Sequence, residues 1–296
     1  MEAAKGLEIY EIGPCKDPYQ MGFSIGNHFS NLIRSRLSRD SIFNHQLLPF
    51  SQTPQAQSLL HSLSHNNNTK FPDYWNEIRG MAHGSGVPFL HIMILNFRKE
   101  ILPFIPKSEK VEDEETIDDC SDILVVSDSM AVAAHNEDAN VALAFTLNSV
   151  PPSESEIVAG GIGRNFVSRD LLEATSIEDA VTRIRSSQVS VGHSYNLIDV
   201  KLRRILNVET ASSQRLSLHE VGSTPFFHAN MYLHLEVNQV TMYYIAHDQN
   251  SISRQNRAAL LPKRSKDDLL SLIGDTADEE YPIYMQDLCT PKTDNL

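Results

Sequence analysis

From position 19 to position 37 large apolar residues recur every fourth place, at Met21, Ile25, Phe29, Ile33 and Leu37. A stripe at that spacing predicts one amphipathic helix over residues 19–37. A second helix is expected over 54–63, then a polar loop over 62–70 built around Asn66-Asn67-Asn68. Pro72 opens a further helix that carries Trp75 and Ile78 and stops at Gly84-Ser85-Gly86. A continuous apolar pattern predicts another over 88–100. Residues 106–119 are charged and read as an exposed loop.

The period then changes. Residues 123–127 and 130–135 are β-type runs joined by Asp128-Ser129, a hairpin signal. A strand is expected over 142–147. Two helices follow, over 165–174 and 176–187, the second capped by Ser176 with Asp179 three residues on. Strands are expected over 195–200, 205–209, 215–221 and 242–246, and late helices over 253–261 and 265–273. A helical first third followed by strands, helices and strands predicts an α+β layered domain with stacked sheets.

Composition narrows the function. The chain has 296 residues and a net charge of −13, with 25 Lys and Arg against 38 Asp and Glu. No basic stripe is visible, so neither a nucleic-acid backbone nor an anionic membrane is the expected partner. No apolar stretch approaches the roughly 20 residues of a membrane helix. The N-terminus shows no secretory signal pattern, and the C-terminus matches no lipidation or retention address. The three cysteines, Cys15, Cys120 and Cys289, form no disulfide framework and no zinc motif. A reducing, cytoplasmic setting is expected. His219, His228 and His234 are nine and six apart, which fits no short zinc pattern, so no metal is expected.

Cys120 stands between the acidic loop and the first strand. One reading is a buried, inert cysteine; the other is a nucleophile at a loop-to-strand junction. The hairpin favours the second, because it returns the polar run His135-Asn136-Glu137-Asp138 to the start of its first strand. Ser194 and Ser253 lack a GxSxG elbow, which disfavours serine hydrolase chemistry. Arg98 and Glu100, two apart, cannot pair on one helix; separate buried pairs tying the first segment to the second are expected.

Asp119-Cys120-Ser121 followed by Asn136-Glu137-Asp138 resembles the acyl-coenzyme A:6-aminopenicillanic-acid acyltransferase family, the peptidase C45 group of N-terminal nucleophile hydrolases. Residues 77–86 and 96–100 look like the helical region before its nucleophile. Ser194-Tyr195-Asn196, Val208-Glu209 and Phe227-His228-Ala229-Asn230 look like its later strand motifs. The resemblance implies an α-β-β-α sandwich in a single domain, 1–296. It implies self-cleavage before Cys120, an α segment 1–119 associated with a β segment 120–296, and no cofactor. The substrate would be a small acyl amide or thioester. A new α-amine of pKa about 7.7–8.0 could then take the thiol proton, so no catalytic histidine is required. Asn196 is the oxyanion-hole candidate implied, or else a strand asparagine bonding a neighbour. Asp138 would orient the amine, or cap the hairpin. Arg254 would support the site, or lie solvated on a helix.

The chain departs from the family pattern in three places. Asp122 stands where Thr or Ser is usual. Asp138 runs almost directly into Leu143-Ala144-Phe145-Thr146-Leu147-Asn148, and the chain ends soon after Tyr281-Pro282-Ile283-Tyr284-Met285. Core strands are therefore expected to be missing, as in a shortened form of a full-length member. An inactive, truncated protein is the alternative reading.

Overall fold

Glycine, not the large apolar stripe, sets the tightest contact in the first part of the chain. The computed structural model describes residues 10–106, 120–135, 143–150, 152–239 and 245–284. It divides into two compact units, 1–111 and 112–296. In the first unit, α1 (Pro18–His28) packs along α5 (Pro72–Ser85). Gly22 and Gly26 face Gly80 and Gly84 in reciprocal fashion. A Cβ at Gly22 would stand 1.9 Å from the Glu77 carbonyl oxygen, and one at Gly80 would stand 2.0 Å from that of Tyr19. The two backbones touch, so only hydrogen fits at these positions.

The predicted helix over 19–37 is two helices, α1 and α2 (Ser30–Arg39), broken at Phe29. Its apolar stripe is half-buried apart from Leu37, while Gly22 and Gly26 are buried. The core-facing side of α1 is thus the small-residue side. The remaining helices are α3 (Leu48–Ser51), α4 (Pro54–Lys70), α6 (Phe89–Asn96) and α7 (Arg98–Ile101). The loop expected at 62–70 is the last part of α4. Leu63 and Asn67 are buried there, and the Asn67 side chain donates to the Leu63 carbonyl at 2.8 Å. Helix α5 ends on Gly86 at φ +68°, as the glycines predict. The helix expected over 88–100 breaks at Phe97. Arg98 pairs with buried Asp40 at 2.8 Å within this unit, and Glu100 is buried in α7.

The second unit holds two antiparallel sheets. Strand β1 (Asp122–Val126) lies between β2 (Ala131–His135) and β7 (Phe226–His228). The other sheet runs in the order β3 (Leu143–Ser149), β4 (His193–Asp199), β5 (Arg204–Ala211), β6 (Arg215–Glu220). Strand alternation gives β1 two different faces. Ile123 and Val125 pack with Ala258 of α10 (Ile245–Leu260) and with Leu269 and Leu272 of α11 (Lys266–Ile273). Leu124 packs the other way, on Ile205 and Val221 at the second sheet. Beyond α8 (Arg164–Leu171), α9 (Ile177–Arg185) runs along β4, capped by Ser176. The fold is α+β with two small antiparallel sheets, broadly in keeping with an α-β-β-α arrangement. Among the described residues no helix is long and apolar enough to cross a membrane.

Part of the strand expected at 242–246 lies outside the described residues; Ile245 and Ala246 open α10 instead. From Asn250 onward the buried side of α10 is largely polar, with Asn250, Ser251 and Arg254 preceding Ala258. A hydropathy pattern does not register such a stripe.

A fork of two hydrogen bonds joins α10 to the turn after α11: Arg257 Nε to Asp275 Oδ1 at 2.9 Å and Arg257 Nη2 to Oδ2 at 2.8 Å. The Arg257 guanidinium holds the Asp275 carboxyl below the usual carboxylate range. That contribution is present at neutral pH and is lost as pH falls through the lowered value. Asp275→Asn is therefore expected to destabilise by about 0.5–1 kcal/mol at pH 7. The difference should shrink as pH falls below the ordinary carboxylate range, as read from thermal melts of the two proteins.

Candidate active site

The inner face of the second sheet changes character along its length. One cross-strand row holds Ala144, Ile198 and Ile205; the next holds Thr146, Asn196 and Asn207; the next holds Asn148, Ser194 and Glu209. The apolar end meets Leu124, and the polar end meets the start of β1. Asn148, Ser194, Asn196, Asn207 and Glu209 are all fully buried. Buried amides and carboxylates in such number need partners, and a row of them facing one strand end marks a site.

Cys120 stands at that strand end and is 8% exposed. Its backbone N–H donates to Asn230 Oδ1 at 2.9 Å. Its carbonyl accepts from Arg254 Nη1 at 2.7 Å. Arg254 is completely buried. The same Nη1 also reaches Ser121 Oγ at 2.8 Å, Nη2 reaches Asn230 Oδ1 at 2.9 Å, and Nε reaches Asn250 Oδ1 at 2.6 Å. Asn230 Nδ2 donates to the Ser149 carbonyl at 3.0 Å. The orientation of this amide follows from its neighbours: two N–H donors face its oxygen and one carbonyl faces its nitrogen.

Asp122, where the family usually has a hydroxyl, is buried and accepts one. Thr146 Oγ1 donates to Asp122 Oδ1 at 2.9 Å. Asn196 Nδ2 donates to the same Thr146 oxygen at 2.9 Å, and Asn196 Oδ1 accepts from Asn207 Nδ2 at 2.6 Å. Asn196 is therefore linked to the Cys120 segment through Thr146 and Asp122. Asn148 shares the face of Thr146 by alternation. Neither polar atom of its side chain has a hydrogen-bond partner among the described residues.

Of the residues singled out in the sequence, Cys120 and Arg254 are brought into direct contact. Asn196 stands behind Asp122. Asp138 lies outside the described residues, as do Asp119 and Cys289. Asn230 and Asn148 were visible only as parts of strand motifs. Their place beside Cys120 depends on contacts across 110 residues of chain for Asn230, which no local pattern encodes.

The histidines gather without forming a Cys–His pair among the described contacts. His228 Nε2 lies 3.2 Å from Glu209 Oε1, and the His219 and His234 rings are 5.6 Å apart. Burial lowers the His234 pKa despite nearby Glu209, so its 3.7 Å approach to that carboxylate is not an ion pair at neutral pH. Among the described residues no group of His, Cys, Asp and Glu is arranged to hold a metal. A cleft of about 700 Å³ opens at the other end of β1, lined by Val126, Ser127, Asp128, Ser129, Arg203 and Ser223. Its lining has no cysteine, and Arg203 donates to the Ser127 and Asp128 carbonyls.

The sequence profile of the acyl-coenzyme A:6-aminopenicillanic acid acyl-transferase family matches residues 128–296, more than half of the chain. The chain belongs to this family. The match includes Asn148, Asn196, Asn230 and Arg254 and starts just after Cys120. A β-alanyl-dopamine/carcinine hydrolase of Drosophila melanogaster is similar over most of the length, 23% identical over 328 aligned positions. Those positions cover 90% of this chain and 83% of the fly protein. Family membership supports a general acyl-transfer or amide-hydrolysis function on a small molecule.

Proposed function

We propose that this chain is a self-processing cysteine amidohydrolase or acyltransferase of the N-terminal nucleophile type. The observation that carries the reading is the double hold on Cys120, by Asn230 at its nitrogen and by Arg254 at its carbonyl. In self-cleavage the Cys120 sulfur adds to the Asp119 carbonyl carbon. The bond from that carbon to the Cys120 nitrogen breaks, and the nitrogen takes the proton that the thiol gives up. Water then hydrolyses the thioester, which leaves a carboxyl on Asp119 and frees both the thiol and the α-amine of Cys120.

On a substrate amide the same sulfur attacks the acyl carbon. The α-amine receives the thiol proton and passes it to the departing amine. Water, or an acceptor amine, then takes the acyl group from sulfur. The amine has a reference pKa of about 7.7–8.0, and a guanidinium beside it favours its neutral form. Asn230 Oδ1 orients it. Asn148 supplies the oxyanion donor in this reading, since its buried amide has no partner to give up among the described residues. One such donor contributes about 3–4 kcal/mol to the barrier. Asn196 then serves at one remove, by fixing Thr146 and Asp122, and Asp138 orients the amine. The proposed architecture is one α-β-β-α domain with segments 1–119 and 120–296, and it needs no cofactor.

The fly relative's name makes β-alanyl amides the first substrates to try. The test of the mechanism is the intact mass of the purified protein. Two fragments are expected, the second beginning at Cys120, and Cys120→Ala should give a single uncleaved chain. A second reading, a shortened and inactive member, is favoured by the alignment length. Ninety per cent of 296 residues is about 266, so about 62 of the 328 aligned positions meet a gap in this chain. Uncleaved wild-type protein with no β-alanyl amidase activity would support that second reading.

A further inference from the structure

One buried carboxylate, unused in the chemistry above, holds both flanks of Asn230. Glu209 lies on β5 with no exposure. Its Oε1 accepts from the backbone N–H of Leu233 at 2.6 Å and from His228 Nε2 at 3.2 Å. Its Oε2 accepts from the backbone N–H of His234 at 3.0 Å and of Leu235 at 2.7 Å. His228 precedes Asn230 by two residues and ends β7; Leu233 follows it by three. No regular ladder extends past His228, so the segment carrying Asn230 depends on such side-chain anchors. Tyr232 adds one more, its hydroxyl donating to the Thr210 carbonyl on the same strand at 3.0 Å.

We propose that Glu209 is a positioning residue for the nucleophile: it clamps the chain on either side of Asn230 and so places the Asn230 oxygen on the Cys120 nitrogen. A fully buried glutamate is rare unless it is paired, and four donors on two oxygens are what a carboxylate can satisfy. Burial by itself would raise the Glu209 pKa, but the bonds from His228, Leu233 and His234 outweigh it and hold the carboxyl below its ordinary value. The clamp therefore stays ionised at neutral pH. Glutamine cannot replace it, because its amide nitrogen would face backbone N–H groups.

The catalytic consequence rests on the reading of Cys120 given above; the placement of Asn230 does not. The experiment therefore reads both. In the uncleaved Cys120→Ala protein, amide hydrogen exchange is compared with and without Glu209→Gln. Protection is expected to fall at least tenfold at position 120 as well as at 233–235, and to stay within twofold along β6. Loss confined to 233–235, or loss spread evenly over β6, would overturn the proposal. If Glu209→Gln does not fold, His228→Leu removes one donor and leaves the carboxylate. It should lower protection at position 120 about threefold, and no change there would count against the clamp. In protein that retains Cys120, Glu209→Gln should slow the appearance of the Cys120-terminated fragment at least tenfold. If the parent itself does not cleave, the nucleophile reading fails, while the exchange result still decides the clamp.

Discussion

Arg254→Met is expected to leave the chain uncleaved and to lower its stability by about 3 kcal/mol. The arginine side chain is entirely buried and donates to the Cys120 carbonyl, Ser121 Oγ, Asn230 Oδ1 and Asn250 Oδ1. Methionine fills much of the volume and gives none of those bonds. Each buried acceptor left without a donor costs about 1–3 kcal/mol, offset in part because a buried charge no longer has to be desolvated. Functionally the loss is larger, because the Cys120 carbonyl is released and the Asn230 oxygen loses one of its two donors. Processing should fall at least a hundredfold, measured as fragment formed per hour by intact mass. Arg254→Lys keeps the charge without the planar fork. It should fold and process at least tenfold more slowly than the parent. Cleavage of Arg254→Met at the parental rate would reduce Arg254 to a packing residue.

Gly80→Ala should lower the stability of the first unit by about 2 kcal/mol. A methyl group there meets the Tyr19 carbonyl at 2.0 Å and the Phe23 nitrogen at 2.8 Å, and both are backbone atoms that no rotamer change can move. Overpacking of this kind costs about 1–3 kcal/mol, sometimes more, and alanine's better helix propensity returns only about 1 kcal/mol. Gly13→Ala is the control, since nothing among the described residues lies within 4 Å of its added carbon, and it should shift stability by less than about 0.5 kcal/mol. The readout is built in. The chain has a single tryptophan, Trp75, and it is buried on α5 beside Phe89, with ring centroids 5.4 Å apart. Urea unfolding followed by its fluorescence reports on the helix pair directly. An unchanged midpoint in Gly80→Ala would show that the two backbones can separate at little cost.

These two sites also show what a sequence discloses. Strand alternation and hairpin signals located β1 and β2 closely, and Ser176 and Gly86 end their helices as their residue types predict. Periodicity misled where the packing residue is small or polar. The stripe from Met21 to Leu37 drew attention from Gly22 and Gly26, and Asn66-Asn67-Asn68 looked like a loop although Asn67 is buried in α4. At the site, Cys120 was legible because thiol chemistry is rare and its flanks are distinctive. Arg254 was legible only by resemblance, since an arginine between polar residues on a helix usually faces water. Asn230 and Asn148 were not singled out. An asparagine's role is decided by what stands across from it in three dimensions, and these two acquire theirs from strands far apart in the chain.

Arg254 lies 134 residues downstream of the carbonyl it holds. The residues on either side of the proposed cut are made early, and the arginine that holds the Cys120 carbonyl is made late. A nascent chain that has exposed Cys120 still lacks α10, so in the proposed self-cleavage the reaction has to wait until α10 has been synthesised and packed. Under that proposal chain order acts as a timer. Fragment appearance in a translation reaction would double as a clock for the folding of the second unit, with its start set by the arrival of a single helix.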